Sequence, residues 1–163
     1  GYLFNDTITD REDAIIDFVK RFEIEEITDE LKFENYRAKN FYVGERTILQ
    51  GNMYGFIEPM EATAVAFYQY ICRQSWDAIF KIQTVDYCNE KIKTNMKQLE
   101  NIILWHYQYG SKYNTPFWEY AKSLPFNPDQ EFYNMVYDRD TKLKQYGQWM
   151  KWNFENWKDG VEI

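Results

Sequence analysis

The feature that most restricts this 163-residue chain is an apolar stripe of Cys88, Ile92, Met96, Leu99, Ile103 and His106, in steps of four or three residues. Such spacing puts every member on one side of an α-helix, so a helix from about Asp86 to Tyr109 must bury one face. Material for a core is plentiful, because Phe, Trp and Tyr make up 20% of the residues, which argues against disorder. The length suits one domain, or part of one. Lys and Arg number 19 against 26 Asp and Glu, a formal charge of −7. That balance argues against a nucleic-acid partner or an anionic bilayer, since both need a basic face. No apolar run reaches the ~20 residues of a membrane helix, and no signal peptide is visible. Cys72 and Cys88 suit a reducing, cytoplasmic setting better than a disulfide framework. Gly1 stands where Met would, so the chain is expected to start inside a larger protein.

Around that helix the expected class is α+β, a few N-terminal strands followed by a mainly helical bundle. Residues 1–8 and 31–36 read as strands, and Phe41–Val43 as another. Gly44-Glu45 forms a plausible two-residue hairpin turn before Arg46–Leu49. Thr9-Asp10-Arg11-Glu12 resembles a capping box with Thr9 as the cap, opening a helix with Ala14, Ile15, Phe18, Val19 and Phe22 inward. Everything beyond residue 49 reads as helix or connection. One helix is expected from Glu61 to Phe80, with Val65, Ala66, Tyr70 and Ile79 inward. Others start at Pro116 and Pro128, each after a capping residue. A last one spans about Lys142–Trp157, stops near Gly160, and turns Leu143, Tyr146, Met150 and Trp157 inward.

The chemistry is narrowed by what the chain lacks. His106 is the one histidine and lies on the apolar stripe, about 27 Å from Cys88 along the helix. It reads as a packed residue or as a functional one, and a Cys-His pair within that helix is excluded. One His and two distant Cys give no metal-ligand set of recognised spacing. The seven glycines make no GxGxxG or phosphate-cradling loop. Trp149, Trp152 and Trp157 fit either a core or a pocket wall.

One segment remains, Leu49-Gln50-Gly51-Asn52-Met53-Tyr54-Gly55-Phe56-Ile57-Glu58-Pro59-Met60-Glu61-Ala62-Thr63. It leaves a strand through two glycines, bends at a proline and enters a helix, geometry that places ligands at a helix N-terminus. Free N–H groups there favour an anion such as a halide or phosphate. Glu58 and Glu61 either stabilise the helix start electrostatically or serve chemistry.

This segment resembles the Gly-x-x-x-Gly-Phe-Leu-Glu-Pro-Leu-Glu-Ser-Thr pattern of the flavin-dependent tryptophan halogenase family, matched from Gly51 to Thr63. Gly1-Tyr2-Leu3-Phe4 with Thr9 to Ala14, and Trp105-His106-Tyr107 with Asn114-Thr115-Pro116-Phe117-Trp118, resemble two further family motifs in the same order. The resemblance covers residues 1 to about 120. It implies that Glu61 is the catalytic carboxylate assisting removal of a ring proton. It further implies that the amides of Thr63 and Ala64 contact the halide and that Gly51, Gly55, Phe56, Ile57 and Pro59 line the flavin. The implied reaction uses reduced FAD and oxygen to oxidise chloride or bromide, which then halogenates an electron-rich, indole-like ring. Ala62 replaces the usual Ser, and Ala64 stands where Gly or Ser is common. The family's dinucleotide fingerprint, its Trp-x-Trp-x-Ile-Pro motif and its active-site lysine all precede the stretch seen here.

The resemblance therefore implies a C-terminal portion: residues 1–60 complete a flavin-binding domain and 61–163 form a helical substrate module. Its partners would be the N-terminal FAD-binding half, an aromatic small molecule and a flavin reductase, and the isolated chain is expected to be inactive. Two other readings stay open: a non-catalytic assembly module, and a piece of a flavin monooxygenase. Packing surface left for a missing half should be apolar and exposed, so self-association, as in a homodimer, is expected.

Overall fold

The computed structural model describes residues 2–44, 46–57 and 63–161. Its elements in order are α1 (Arg11–Phe22), β1 (Tyr36–Arg37), β2 (Tyr42–Val43), β3 (Thr47–Ile48), a short 3-10 turn (Gly51–Met53) and β4 (Gly55–Phe56). There follow α2 (Thr63–Ile79), α3 (Val85–Tyr109), α4 (Pro116–Ser123), α5 (Gln130–Tyr137), β5 (Gln145–Tyr146), β6 (Trp149–Met150) and α6 (Lys151–Val161). The class is α+β as the sequence predicts.

The long helix falls within one residue of the predicted span, and Thr84 caps it by accepting from the Tyr87 amide at 3.2 Å. Every aliphatic or sulfur-bearing member of its stripe is buried, and His106 is half-buried at the far end. α2 packs along α3, and Phe67, Ile71, Cys88, Ile92, Met96, Leu99 and Ile102 join Phe41 and Tyr54 in one core. Towards the C-terminal end of α3 the core turns aromatic. Trp105 lies edge-on to Phe132 at 5.9 Å, and Phe132, Tyr146 and Phe154 form a mutual cluster at 5.6–6.3 Å. Edge-to-face rings at these distances are favourable beyond the area they bury.

A polar joint closes this end. Asn101 Nδ2 donates to the buried Tyr146 hydroxyl at 2.8 Å, and that hydroxyl donates to Asp129 Oδ2 at 3.0 Å. Asp129 also caps α5, its Oδ1 accepting from the Phe132 amide at 2.8 Å. One carboxylate thus starts a helix and anchors a strand.

Several expectations need correction. Residues 2–8 form no strand: Asn5 accepts from Thr7, Ile8 and Thr9 in a local turn. Asp10 rather than Thr9 caps α1, accepting from the Glu12 amide at 2.8 Å. Strand structure near 31–36 is confined to Tyr36–Arg37, which pairs with Gly55–Phe56. The β2–β3 hairpin exists, but Val43 pairs with Thr47, so its loop has three residues rather than two. Glu45, the second predicted turn residue, lies outside the described residues.

α2 is rotated from the expected phase. Its buried face is Thr63, Phe67, Ile71, Gln74, Ser75 and Ala78, whereas Val65 and Ile79 are exposed and Ala66 and Tyr70 half-buried. α5 starts after Asp129, two residues beyond the proline signal. The expected final helix is interrupted by the β5–β6 hairpin, in which Gly147 takes a left-handed φ of 58° between the Tyr146–Trp149 pair. A glycine at the first position of a two-residue loop is what such a turn requires. Gly160 lies inside α6 rather than ending it, and Met150 points outward.

Candidate functional site

The site is assembled where the segment after β3 meets the N-terminal end of α2. Gly51 opens the 3-10 turn with a left-handed φ of 54°, a conformation that favours glycine, and among the described residues a Cβ there would meet only Tyr68, at 3.9 Å. Side chains pin the turn to α2: Tyr68 donates to Asn52 Oδ1, Gln50 Nε2 donates to Ser75, and the Cys72 thiol donates to Gln50 Oε1 at 3.4 Å. The chain then straightens into β4. Here Gly55 is buried, and a Cβ would sit 3.0 Å from the Tyr36 carbonyl and 3.1 Å from Met96 Cε. Gly55 is therefore required by the close approach of β1 and α3.

Gly55, Ile57, Thr63 and Ala64 come together around a small cavity whose other described walls are Phe67, Tyr68 and Leu99. Its volume is about 10 Å³, comparable to the minimum for one water-sized sphere. Thr63 and Ala64 are the first two described residues of α2, at the end of the helix whose dipole favours negative charge. From the other side, Gln148 Nε2 in the β5–β6 turn donates to the Thr63 carbonyl at 3.3 Å. The hairpin thereby touches α2 where its amides start. Burial raises the Tyr68 phenol pKa, so this wall is neutral at ordinary pH.

Six of the eight sequence-predicted site residues are described. Four share the cavity, while Gly51 lies in the preceding turn and Phe56 packs against Phe33, ring centroids 5.2 Å apart. Glu61 and Pro59 lie outside the described residues, as do Glu58 and Ala62. Sequence reasoning missed Phe67, Tyr68, Leu99 and Gln148. Leu99 is on the predicted stripe, and Phe67 is four residues after Thr63, a helical neighbour that correct phasing of α2 would have found. Gln148 had no signal, because its contact spans 85 residues of chain.

The other sequence candidates do not line this cavity. His106 Nδ1 is 2.8 Å from the Ile102 carbonyl, and the ring is flanked edge-on by Trp105 and Trp157 at 5.1 and 5.0 Å. Trp149 is buried beside Trp157 at 5.9 Å, and Trp152 is exposed. No helix among the described residues is long and apolar enough to cross a membrane.

Comparison with known proteins bears on this geometry. The model of the tryptophan halogenase family matches residues 1–160, well beyond the stretch whose motifs are legible by eye. The tryptophan 7-halogenase RebH of Lentzea aerocolonigenes is 24% identical over 132 residues, which is 76% of this chain and 24% of that relative. The matched chain thus spans about a quarter of RebH.

Proposed function

The chain belongs to the tryptophan halogenase family, and on that premise we propose that it supplies the halide-binding loop and the helical substrate module of a flavin-dependent halogenase. The observation that carries this reading is the meeting of Gly55, Ile57, Thr63 and Ala64 around a space of one-water size at a helix N-terminus. A chloride or bromide ion is monatomic, needs donors rather than a shaped pocket, and is favoured by that end of the dipole.

Residues 1–60 complete the flavin-binding domain and 61–163 form the substrate module. Gly51, Gly55, Phe56, Ile57 and Pro59 are the residues of this chain that would hold FAD. The half-buried Phe56 and Ile57 and the nearly empty Cβ position of Gly51 fit an apolar ring system. Gly55 fits less well, because Tyr36 and Met96 already fill its Cβ position. When bound and reduced, FAD supplies with oxygen the equivalents that oxidise the halide. This chain's own part is to hold the halide at the Thr63 and Ala64 amides and to accept the ring proton at Glu61. A carboxylate in a site of low dielectric stabilises a cationic ring adduct more strongly than one in water.

The partners follow: a FAD-binding half, a flavin reductase, and an electron-rich aromatic substrate of the indole type. Leu3, Ile16, Phe22, Leu31 and Phe33 are exposed, which suits a surface covered by that half, and self-association of the chain alone follows from the same exposure. The test compares halogenation by the assembled enzyme with and without the substitution Glu61→Gln. Removing a positioned proton acceptor should lower turnover by about 10²-fold or more. Unchanged halogenation in Glu61→Gln would favour the non-catalytic assembly module, and a halide-independent hydroxylated product would favour a monooxygenase.

A further inference from the structure

A second concavity, of about 540 Å³, opens between α3 and the residues at the end of β1. Its volume falls within the ~300–1,000 Å³ typical of small-molecule sites. Arg37, Lys39, Lys93 and Lys97 line it, with Glu90 as the one lining carboxylate among the described residues. Cations gathered around a hollow run against the −7 charge of the chain.

The construction explains the gathering. Glu90, Lys93, Thr94 and Lys97 recur at helical spacing and share one face of α3. Arg37 is brought opposite by the β1–β4 pair, where its cross-strand partner is Gly55, whose missing Cβ lets the strand approach Met96 of α3. Two of the cations have partners: Lys93 meets Glu90 at 2.8 Å and Arg37 meets Glu100 at 3.5 Å. Lys39 and Lys97 have no acidic partner within 4 Å among the described residues. Behind the wall stands Tyr54, fully buried, whose hydroxyl has no hydrogen-bond partner among the described residues and which feels the charges of Arg37, Glu90 and Glu100.

We propose that this cleft binds a small diphosphate-bearing molecule, with Lys39 and Lys97 supplying unshared charge and Arg37 a planar donor fork. Ammonium and guanidinium donors to phosphate oxygens are the strong charge-assisted class. A small anion is favoured over a nucleic-acid strand because the chain as a whole repels a polyanion beyond the cleft. The inference is independent of the halide reading and uses none of its residues as ligands.

The test titrates the 163-residue chain with inorganic pyrophosphate and with ADP at low ionic strength, by calorimetry and by amide chemical shifts. Saturable one-to-one binding is expected, with shifts centred on Lys39, Thr94 and Lys97. The exposed pair Lys39→Gln/Lys97→Gln should weaken it by about tenfold or more, the loss of one or two charged hydrogen bonds. A matched pair elsewhere, Lys142→Gln/Lys144→Gln, should leave it unchanged. Circular dichroism checks that both variants fold. Non-saturating shifts, shifts scattered over all lysines, equal loss in the two pairs, or a response to an acidic peptide but not to pyrophosphate would overturn the proposal.

Discussion

The segment before β1 and the body after it are built differently. In the body, α2 and α3 bury a continuous apolar seam, and the Asn101–Tyr146–Asp129 joint fastens the aromatic end. In the first segment α1 buries only Ala14, while Tyr2, Phe18 and Phe22 meet one another tilted or edge-on at 5.2–6.4 Å. Its ion pairs, Arg11–Glu30, Arg21–Asp17 and Lys32–Asp6, are all exposed. Pairs of that kind contribute little to stability. Stability is therefore concentrated after residue 36, and the leading helix is a separately opening unit. The candidate site lies on the stable side of this divide, with β4 and α2 packed on α3.

The largest test of that contrast is Trp105→Ala. Trp105 is fully buried among Phe132, Phe154 and His106, so urea unfolding should show a loss of about 3–5 kcal/mol. Phe22→Ala on α1 should change the same midpoint by less than about 0.5 kcal/mol, as exposed positions do. Next comes Gly55→Ala, whose new methyl would press on the Tyr36 carbonyl and on Met96, and overpacking of that kind costs about 1–3 kcal/mol. A neutral result would deny that β1 is held against α3.

Tyr146→Phe sharpens the comparison through pH. Burial, with the Asp129 carboxylate adding to it, holds the Tyr146 phenol pKa well above the usual tyrosine value, against the opposing effect of Asn101. The folded state thus keeps a proton that the unfolded chain loses near pH 10, so stability is full below that pH and falls above it. Removing the hydroxyl should cost about 1–2 kcal/mol at neutral pH and flatten the alkaline limb of a denaturation series. An unchanged limb would mean that the phenol ionises as easily folded as unfolded. The most local effect is expected from Asp10→Ala. Losing this cap should weaken α1 by about 1 kcal/mol, seen as faster amide exchange in α1 alone with the global midpoint unmoved.

The same divide governs what the sequence makes legible. α3 can be read in advance because its stripe is strict, and the loop because glycine, proline and helix signals coincide within a dozen residues. α2 is misphased because Val65, Trp76 and Ile79 put large apolar groups on its exposed side, which blurs the period. The N-terminal strand is misread because Tyr2–Phe4 has strand composition but no pairing partner among the described residues, and composition alone makes no ladder. The β5–β6 hairpin escapes notice because Gly147-Gln148 reads as interior to a helix. With it goes Gln148, which reaches the site only through the tertiary fold.

Bromide titration of the chain, followed at the backbone amides of Thr63 and Ala64, tests the central claim most directly. Saturable shifts at those two amides are predicted, and the Thr63 shift should weaken by about tenfold or more in Ala64→Pro, which deletes the neighbouring donor near the start of α2, where proline is tolerated. Bromide shifts that miss Thr63 and Ala64, or a Thr63 response that is undiminished in Ala64→Pro, would contradict it.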